Sequence, residues 1–176
     1  HVYLSLDARL QQAAVDAIEG RSGAAVAIDP RNGEVLALVS LPGFDPNLFV
    51  NGISRVDYAA LTAAPDRPLY NRALQGGYEP GSTVKPFIGL AGLELGLRTA
   101  TDITVSTGEY RLAGMPQSWR DWKRGGHGRV DLHEALAQSV NTYFYDLAYD
   151  IGIDRLGQYL ALFGFGEPTG IDLHGE

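Results

Sequence analysis

Hydrophobic positions near the start of the chain change from a helical to a strand-like spacing. Residues 7–19 place apolar side chains on one helical face, with Asp7 as a candidate N-cap. Residues 24–29 and 34–40 are rich in Val, Ile, Leu and Ala, and an Asn-Gly pair lies between them. Asn-Gly is a strong hairpin signal because both residues tolerate positive φ. The pattern predicts a helix followed by an antiparallel pair of strands.

Helical spacing returns further along the chain, interrupted by turn-rich segments. Pro, Gly, Asn and Asp are frequent from the second strand to Gly77, and residues 99–128 have an irregular pattern with several Gly. Asp131 with Glu134 forms a capping-box pattern. Further helices are predicted over residues 54–62, 82–96, 131–138, 142–150 and 154–163.

These elements predict an α/β chain of the α+β type in two parts. An antiparallel sheet would contain the strands 24–29 and 34–40 and would pack on the first helix. A helical subdomain would contain the later helices, and a cleft would lie between the two parts. A length of 176 residues is typical of one domain and is enough to bury a core.

Composition and charge exclude several classes of protein. Hydrophobic residues make up 45% and charged residues 20% of the chain, as in globular rather than disordered proteins. The net charge of −7 gives no basic surface for nucleic acid, and without Cys there is no disulfide or thiolate metal site. The apolar stretches are far shorter than the roughly 20 residues that span a bilayer. Because the chain begins without Met or a charged leader, we expect it to be part of a longer protein.

Ser82 and Lys85 combine a nucleophile with a base at helical spacing. Side chains at i and i+3 share one face of a helix, so we expect the two groups to lie within hydrogen-bond reach. A serine hydroxyl needs a base to remove its proton, and a lysine can act as that base when burial lowers its pKa. Unpaired N–H groups at the helix start would favour an oxyanion. The alternative is a serine that only caps the helix and a lysine that is solvated.

Ser139 and Asn141 form a second candidate element, between two predicted helices. A hydroxyl and an amide on a helix–helix corner can relay a proton and orient a substrate amide. The alternative is that Asn141 or Thr142 only caps the following helix.

The two elements carry a family resemblance. Ser82 with Lys85 forms an S-x-x-K motif, and Ser139 with Asn141 forms an S-x-N motif, in the order found in penicillin-binding proteins and serine β-lactamases. The surrounding Gly-Tyr-Glu-Pro-Gly-Ser-Thr-Val-Lys-Pro-Phe resembles the active-site block of class B penicillin-binding proteins. Blocks similar to the elongation-specific penicillin-binding protein 2 family lie at residues 6–11, 37–40, 45–49, 120–123, 126–128 and 148–156.

This resemblance implies a penicillin-binding transpeptidase fold and a peptidoglycan D,D-transpeptidase activity in cell-wall elongation. Ser82 would attack the penultimate D-Ala of a stem peptide and form an acyl-enzyme, with Lys85 as the base. Ser139 would assist proton transfer, and Asn141 would orient the substrate amide. β-Lactam antibiotics would acylate the same serine, and no cofactor is expected.

The resemblance also implies partners and a location for the intact protein. An N-terminal anchor would hold it in the bacterial inner membrane, with the catalytic domain facing the periplasm. Its expected partner is a glycosyltransferase of the elongation machinery that polymerises lipid II. Nucleic acid is not an expected partner.

The third motif of the family, K-[ST]-G, does not follow Asn141. The near match Lys-Arg-Gly at residues 123–125 precedes Ser139 and belongs to a different block. Residues 1–176 are therefore expected to be a partial transpeptidase domain with the first two motifs, inactive by itself.

A second departure concerns metal binding. In some relatives a Cys in the middle of the second motif binds zinc together with two Asp and a His. Asp102, Asp121 and His127 stand at the corresponding positions, but Val140 replaces the Cys. Because closed structural zinc sites use four ligands, no metal site is expected.

Other functions fit these residues less well. A serine β-lactamase needs a deacylating base, and the Glu-x-x-x-Asn pattern that would supply it is absent after the second motif. The elongation-type blocks argue against a β-lactam sensor domain, and intact Ser82 and Lys85 argue against a non-catalytic scaffold. A Ser-His-Asp hydrolase would need a G-x-S-x-G elbow, which the Pro-Gly-Ser-Thr-Val sequence lacks.

Overall fold

The computed structural model describes residues 1, 3–18, 20–173 and 175. The chain forms two compact units, one of His1–Tyr78 with Asp172–Glu176 and one of Glu79–Ile171. Both contain helices and antiparallel strands, which confirms the predicted mixed α/β class. Within the described residues, no helix has both the length and the hydrophobicity needed to cross a bilayer.

The first unit is built around a strand hairpin. Its elements are α1 Ala8–Ile18, β1 Gly23–Ile28, β2 Val35–Leu41, a 3₁₀ turn Pro46–Phe49, α2 Arg55–Ala63 and α3 Arg72–Gln75. β1 and β2 pair antiparallel, which confirms the predicted hairpin. Asp29 and Glu34, which the pattern assigned to strands, instead close the turn through a 2.9 Å bond from the Asp29 N–H to the Glu34 carbonyl. Gly33 of the Asn-Gly pair takes a positive φ of 78° in this turn.

α1 packs against β2, as the sequence pattern predicts. Ala37 and Val39 alternate along β2 and are almost fully buried. The Gln11 side chain binds both backbone groups of Leu38, donating to the carbonyl and accepting from the N–H at 2.8 Å each. The helix is thereby held to the strand by polar as well as apolar contacts.

The structure confirms the helices predicted in the first unit. Asp7 caps α1 by accepting hydrogen bonds from the N–H groups of Arg9 and Leu10, at 2.8 and 3.2 Å. Ser54 caps α2 in the same way. Glu19, the last residue of the predicted first helix, lies outside the described residues.

The second unit contains the later helices and several short strands. Its elements are a 3₁₀ turn Gly81–Val84, α4 Lys85–Glu94, β3 Thr104–Ser106, β4 Glu109–Arg111, β5 Ser118–Arg120, β6 Gly128–Val130, α5 Leu132–Ala137, α6 Asn141–Ile151 and α7 Ile153–Ala161. β3 pairs with β6 and β4 with β5, both antiparallel. The prediction that residues 99–128 are irregular is therefore wrong in part. Strands of three residues are too short to show a detectable alternation of polar and apolar positions.

The core of the second unit forms around one face of α6. Tyr143, Phe144, Leu147 and Ile151 follow the helical period and are at most 3% exposed. α4 meets this face through small residues. A Cβ on Gly92 would lie 2.8 Å from the Leu147 Cδ1 atom, so the glycine permits the close approach of the two helices. This packing positions the first residues of both α4 and α6.

Helix boundaries in the second unit differ from prediction where the motifs lie. The α-helix predicted from Ser82 begins at Lys85, and Ser82 belongs to the preceding 3₁₀ turn. α6 begins at Asn141, one residue before the predicted start. Asp131 caps α5 as expected, accepting from the Glu134 N–H group at 2.8 Å.

Gly126 allows a test of the close backbone packing in the second unit. Its φ is 80°, and a Cβ there would collide with the backbone of Ser106 and Gly108. We expect Gly126→Ala to lower the free energy of unfolding by at least about 3 kcal/mol, because backbone atoms cannot rotate away from the added methyl group. Chemical denaturation of the intact protein, followed by tryptophan fluorescence, measures this change.

Gly114 is the matched control for that substitution. It also has a φ of 80°, but a Cβ there meets nothing within 4 Å. Gly114→Ala should lower the stability by only about 1–2 kcal/mol, from the backbone conformation alone. Equal losses for the two variants would contradict the close packing at Gly126.

Candidate active site

The Lys85 side chain binds the corner between α5 and α6 at three points. Its Nζ atom lies 2.7 Å from the Ser139 carbonyl oxygen, 3.0 Å from Ser139 Oγ and 2.6 Å from Asn141 Oδ1. The residue is only 7% exposed. A buried ammonium must replace its hydrogen bonds to water, and this corner supplies an acceptor for each of its three protons.

The surroundings of Lys85 alter its acidity in the direction expected for a catalytic base. Burial lowers the pKa of Lys85 below its ordinary value, and the negative charge of Asp121 opposes this effect. The Phe144 ring, whose centroid lies 5.6 Å from Nζ, contributes to the apolar surroundings. A lowered pKa increases the fraction of neutral amine that can accept a proton.

Ser82 is connected to Lys85 through Ser139. Ser139 Oγ lies 2.9 Å from Ser82 Oγ, whereas no hydrogen bond joins Ser82 to Lys85 in the described part of the chain. The prediction of direct contact across one helical turn is therefore wrong, because the corner attracts all three donors of the lysine. Since Ser82 precedes the α-helix in a 3₁₀ turn, the oxyanion site at the helix start stays a prediction.

Ser139 holds its position through an unusual backbone conformation. Its φ is 53°, in the left-handed region, where serine costs about 1–2 kcal/mol relative to glycine. The residue follows the C-terminus of α5 in a Schellman motif, with its N–H bound to the Leu136 carbonyl and the Val140 N–H bound to the Ala135 carbonyl. This conformation directs both the carbonyl and the hydroxyl of Ser139 at Lys85.

Asn141 contributes its side-chain amide to the site. It is the first residue of α6, while the N-cap position belongs to Val140. Asn141 Oδ1 accepts from Lys85, and Nδ2 makes a long 3.4 Å bond to the Arg120 carbonyl. The alternative that Asn141 only caps the helix is therefore wrong. Its Nδ2 group can still donate to a substrate.

Comparison with known families identifies the fold. Residues 23–176 match the family described as the penicillin binding protein transpeptidase domain. The chain belongs to this family. A curated relative, the peptidoglycan D,D-transpeptidase MrdA of Acinetobacter baumannii, is 51% identical over 175 residues, which cover 99% of this chain and 26% of that protein.

Solved penicillin-binding proteins share the same architecture. The crystal structure of Pseudomonas aeruginosa PBP2 in complex with WCK 5153 matches with a TM-score of 0.93 and 53% identity, covering 98% of this chain and 39% of that one. Penicillin-binding protein A of Mycobacterium tuberculosis, solved as a penicillin G acyl-enzyme, matches with a TM-score of 0.84 and 32% identity, over 93% of this chain and 40% of that one. These matches confirm the predicted fold and family. The chain spans about a quarter of the length of the MrdA relative.

Asp121 is a further charged group near Lys85, which the sequence marked only as a counterpart of a zinc ligand. Its Oδ2 atom accepts from the N–H and hydroxyl of Thr142, both at 3.1 Å. Its Oδ1 atom accepts from the Trp122 N–H at 2.8 Å and lies 3.3 Å from His127 Nε2. Burial opposes its ionisation, but these hydrogen bonds and His127 lower the pKa of Asp121. The carboxylate therefore acts as the N-cap that Val140 cannot provide for α6.

The residues at the zinc-ligand positions are not brought together as a metal site. Asp102 accepts a hydrogen bond from the Thr99 N–H at 2.7 Å, whereas Asp121 and His127 pair with each other. Val140 is fully buried in the hydrophobic core. Among the described residues, no group of three or more His, Cys, Asp or Glu could hold a metal ion. The residues present do not fit a four-ligand zinc site.

The three acceptors of Lys85 determine how it can receive a proton. The Ser139 carbonyl and Asn141 Oδ1 can only accept, so a neutral lysine donates its two N–H groups to them. Its lone pair then faces the Ser139 hydroxyl, which can in turn accept a proton from Ser82. Deprotonation of Lys85 would therefore reverse the direction of the hydrogen bonds, with Ser82 donating to Ser139 and Ser139 donating to Lys85.

We expect Asp121→Asn to lower the pKa of Lys85 further. The substitution removes a negative charge that stabilises the ammonium form, so burial acts without that opposition. An NMR titration of the intact protein labelled with ¹³C at lysine Cε measures the effect. The Lys85 signal is assigned by its loss in Lys85→Met, and its midpoint should move to lower pH in Asp121→Asn.

Asp131→Asn serves as the control for that titration. It removes a carboxylate from the same unit while keeping a side chain that can cap α5. The Lys85 midpoint should stay at the wild-type value. An unchanged midpoint in Asp121→Asn would show that Asp121 does not act on the lysine.

Proposed function

We propose that this chain carries the nucleophile and the base of a peptidoglycan D,D-transpeptidase. The substrate is a stem peptide that ends in D-Ala-D-Ala, and Ser82 attacks the carbonyl carbon of the penultimate D-Ala. The observation that supports this function best is the continuous chain of hydrogen bonds from Lys85 through Ser139 to Ser82. It connects an accessible hydroxyl to a buried amine whose pKa is lowered by burial.

Acylation proceeds by proton transfer along this chain. Ser82 Oγ forms an ester with the penultimate D-Ala, and the C–N bond to the terminal D-Ala breaks. The Ser82 proton moves to Ser139 as the Ser139 proton moves to Lys85. The same chain in reverse returns a proton to the departing amine. The amine of a second stem then attacks the ester, gives up a proton along the chain and releases Ser82 with its hydroxyl restored.

Asn141 orients the substrate in this proposal. Its Oδ1 atom is fixed by Lys85, which sets the direction of the whole amide. The Nδ2 group then donates to a carbonyl of the substrate peptide. Asn141 thus couples the position of the substrate to that of the base.

The relatives support this reading of the site. The Acinetobacter baumannii relative is named as a peptidoglycan D,D-transpeptidase, and the Mycobacterium tuberculosis structure is an acyl-enzyme with penicillin G. We propose that β-lactams acylate Ser82 of this chain, because they resemble the D-Ala-D-Ala end of the substrate. The third motif of the family would come from other parts of the intact protein.

The setting of the intact protein follows from the same relationship. We propose a protein anchored in the bacterial inner membrane, with this domain facing the periplasm. It would act in cell-wall elongation beside a glycosyltransferase that polymerises lipid II. The relatedness to MrdA supports this setting.

Ser82→Ala should abolish acylation of the intact protein by a fluorescent penicillin. It should also abolish the release of D-Ala from a stem peptide, because the Ser82 hydroxyl is the group bound to Ser139 at the end of the proton chain. Mass spectrometry of the labelled wild type should locate the adduct on Ser82. Ser22→Ala, at an exposed position, is the control and should label normally. Labelling of Ser82→Ala would refute the proposed nucleophile, and rapid hydrolytic turnover of the penicillin would indicate a β-lactamase instead.

Substitution of Ser139 separates its catalytic role from its structural one. Ser139→Ala and Ser139→Gly should both slow acylation by about 10²–10⁴-fold, since each removes the hydroxyl that passes the proton. Ser139→Gly should nevertheless be about 1 kcal/mol more stable than Ser139→Ala, because glycine relieves the left-handed backbone. Stopped-flow acylation and thermal unfolding measure the two effects. If both variants were acylated at the wild-type rate, Lys85 would act on Ser82 without the Ser139 hydroxyl.

A further inference from the structure

A cavity of about 480 Å³ lies beside the active site in the second unit. Its walls come from β4, from the end of β5 and from the segment that follows β5. Arg120 and Arg124 are both among the lining residues and both exposed. The proton-transfer steps of the proposed function do not use either of their side chains.

The charges around this cavity favour an anion. In the described residues, neither the Arg120 nor the Arg124 guanidinium has a hydrogen-bond or ion-pair partner. The acidic residues of the wall are already engaged. Both carboxylate oxygens of Glu109 bind Arg111, at 3.0 and 3.1 Å, and Asp121 accepts from Thr142 and other groups. Arg120 lies opposite Glu109 in the β4–β5 pair, and its charge helps to lower the pKa of that carboxyl. Because Glu109 forms its hydrogen bonds with Arg111, the N–H donors of both Arg120 and Arg124 remain available to a ligand in the cavity.

The cavity wall is attached directly to the catalytic corner. The Arg120 carbonyl accepts from Asn141 Nδ2 at 3.4 Å, and the Trp122 Nε1 group donates to the Gln138 carbonyl at 2.9 Å. Gln138 immediately precedes Ser139. Because Asn141 is bonded to a residue of the cavity wall, a peptide bound by Asn141 would lie next to the cavity and could place a side chain in it.

We propose that Arg120 and Arg124 form a subsite for a carboxylate of the peptide substrate, away from the bond that is cleaved. This inference rests on the proposed function and specifies that the substrate is an acidic peptide. Guanidinium groups bind carboxylates through paired, charge-assisted hydrogen bonds, which give geometric as well as energetic selectivity. The carboxylate can belong to the acyl donor or to the acceptor strand, and the chemistry of recognition is the same.

The test compares a carboxylate substrate with its uncharged counterpart on the intact protein. The donor peptides end in D-Ala-D-Ala and contain either γ-linked D-glutamate or D-isoglutamine, and acceptor peptides are paired in the same way. In wild type the carboxylate form should have the higher kcat/KM. In Arg120→Gln/Arg124→Gln this preference should fall by about tenfold or more, mainly through KM.

The arms of this experiment identify the strand that is bound. If the double substitution lowers the carboxylate preference for D-Ala release in the absence of an acceptor, the subsite binds the donor peptide. If it lowers the preference only for transfer to the acceptor peptide, the subsite binds the acceptor strand. Arg129→Gln, at an exposed position of β6 outside the cavity, is the control and should keep the wild-type preference. If kcat/KM falls equally for the carboxylate and the uncharged peptide, or falls for neither, the proposed subsite is wrong.

The same measurements separate this subsite from the function on which it rests. Failure of the wild type to form a penicillin adduct or to release D-Ala would refute the transpeptidase assignment. Normal wild-type activity with an unchanged preference in the double variant would refute the subsite alone. Penicillin labelling of the double variant shows that its Ser82 site is folded, so that a lost preference reports on the cavity.

Discussion

The buried amine of Lys85 is the interaction on which the rest of the site depends. An ammonium removed from water must recover its hydrogen bonds, and here all three acceptors come from residues 139–141. Movement of that corner away from α4 would leave a buried charge unpaired, which is far more costly than the loss of one surface contact. The packing of Leu147 against Gly92 serves this requirement because it fixes α6 against α4. The packing of the core therefore also sets the geometry of the acceptors around Lys85.

The backbone of Ser139 adopts a strained left-handed conformation in order to supply two of these acceptors. α4 and α5 end in the same hydrogen-bonding motif, and the left-handed position is Gly96 after α4 but Ser139 after α5. Glycine is the unstrained choice at such a position. Glycine has no hydroxyl, whereas Ser139 presents a carbonyl and a hydroxyl together to Lys85. The end of α5 is thus less stable than it could be, at the residue that connects Lys85 to Ser82 by hydrogen bonds.

The sequence motifs locate Ser82, Lys85, Ser139 and Asn141, but not their order in space. Helical periodicity relates only residues of one element, so it cannot show that Ser139 lies between the nucleophile and the base. That position results from the packing of α4, α5 and α6. The sequence places Asp121 only at a position that corresponds to a zinc ligand, and its contacts with Thr142 and His127 depend on strands too short to produce a pattern. The longer helices and the β1–β2 hairpin were predictable because their periods extend over six or more residues.

Two opposing effects set the proton affinity of Lys85. Burial favours the neutral amine, and the charge of Asp121 favours the ammonium. Although burial of Asp121 opposes its own ionisation, hydrogen bonds from Thr142 and Trp122 lower its pKa and favour the charged carboxylate. The carboxylate that caps α6 therefore also raises the proton affinity of Lys85, which links the start of that helix to the charge state of the buried amine.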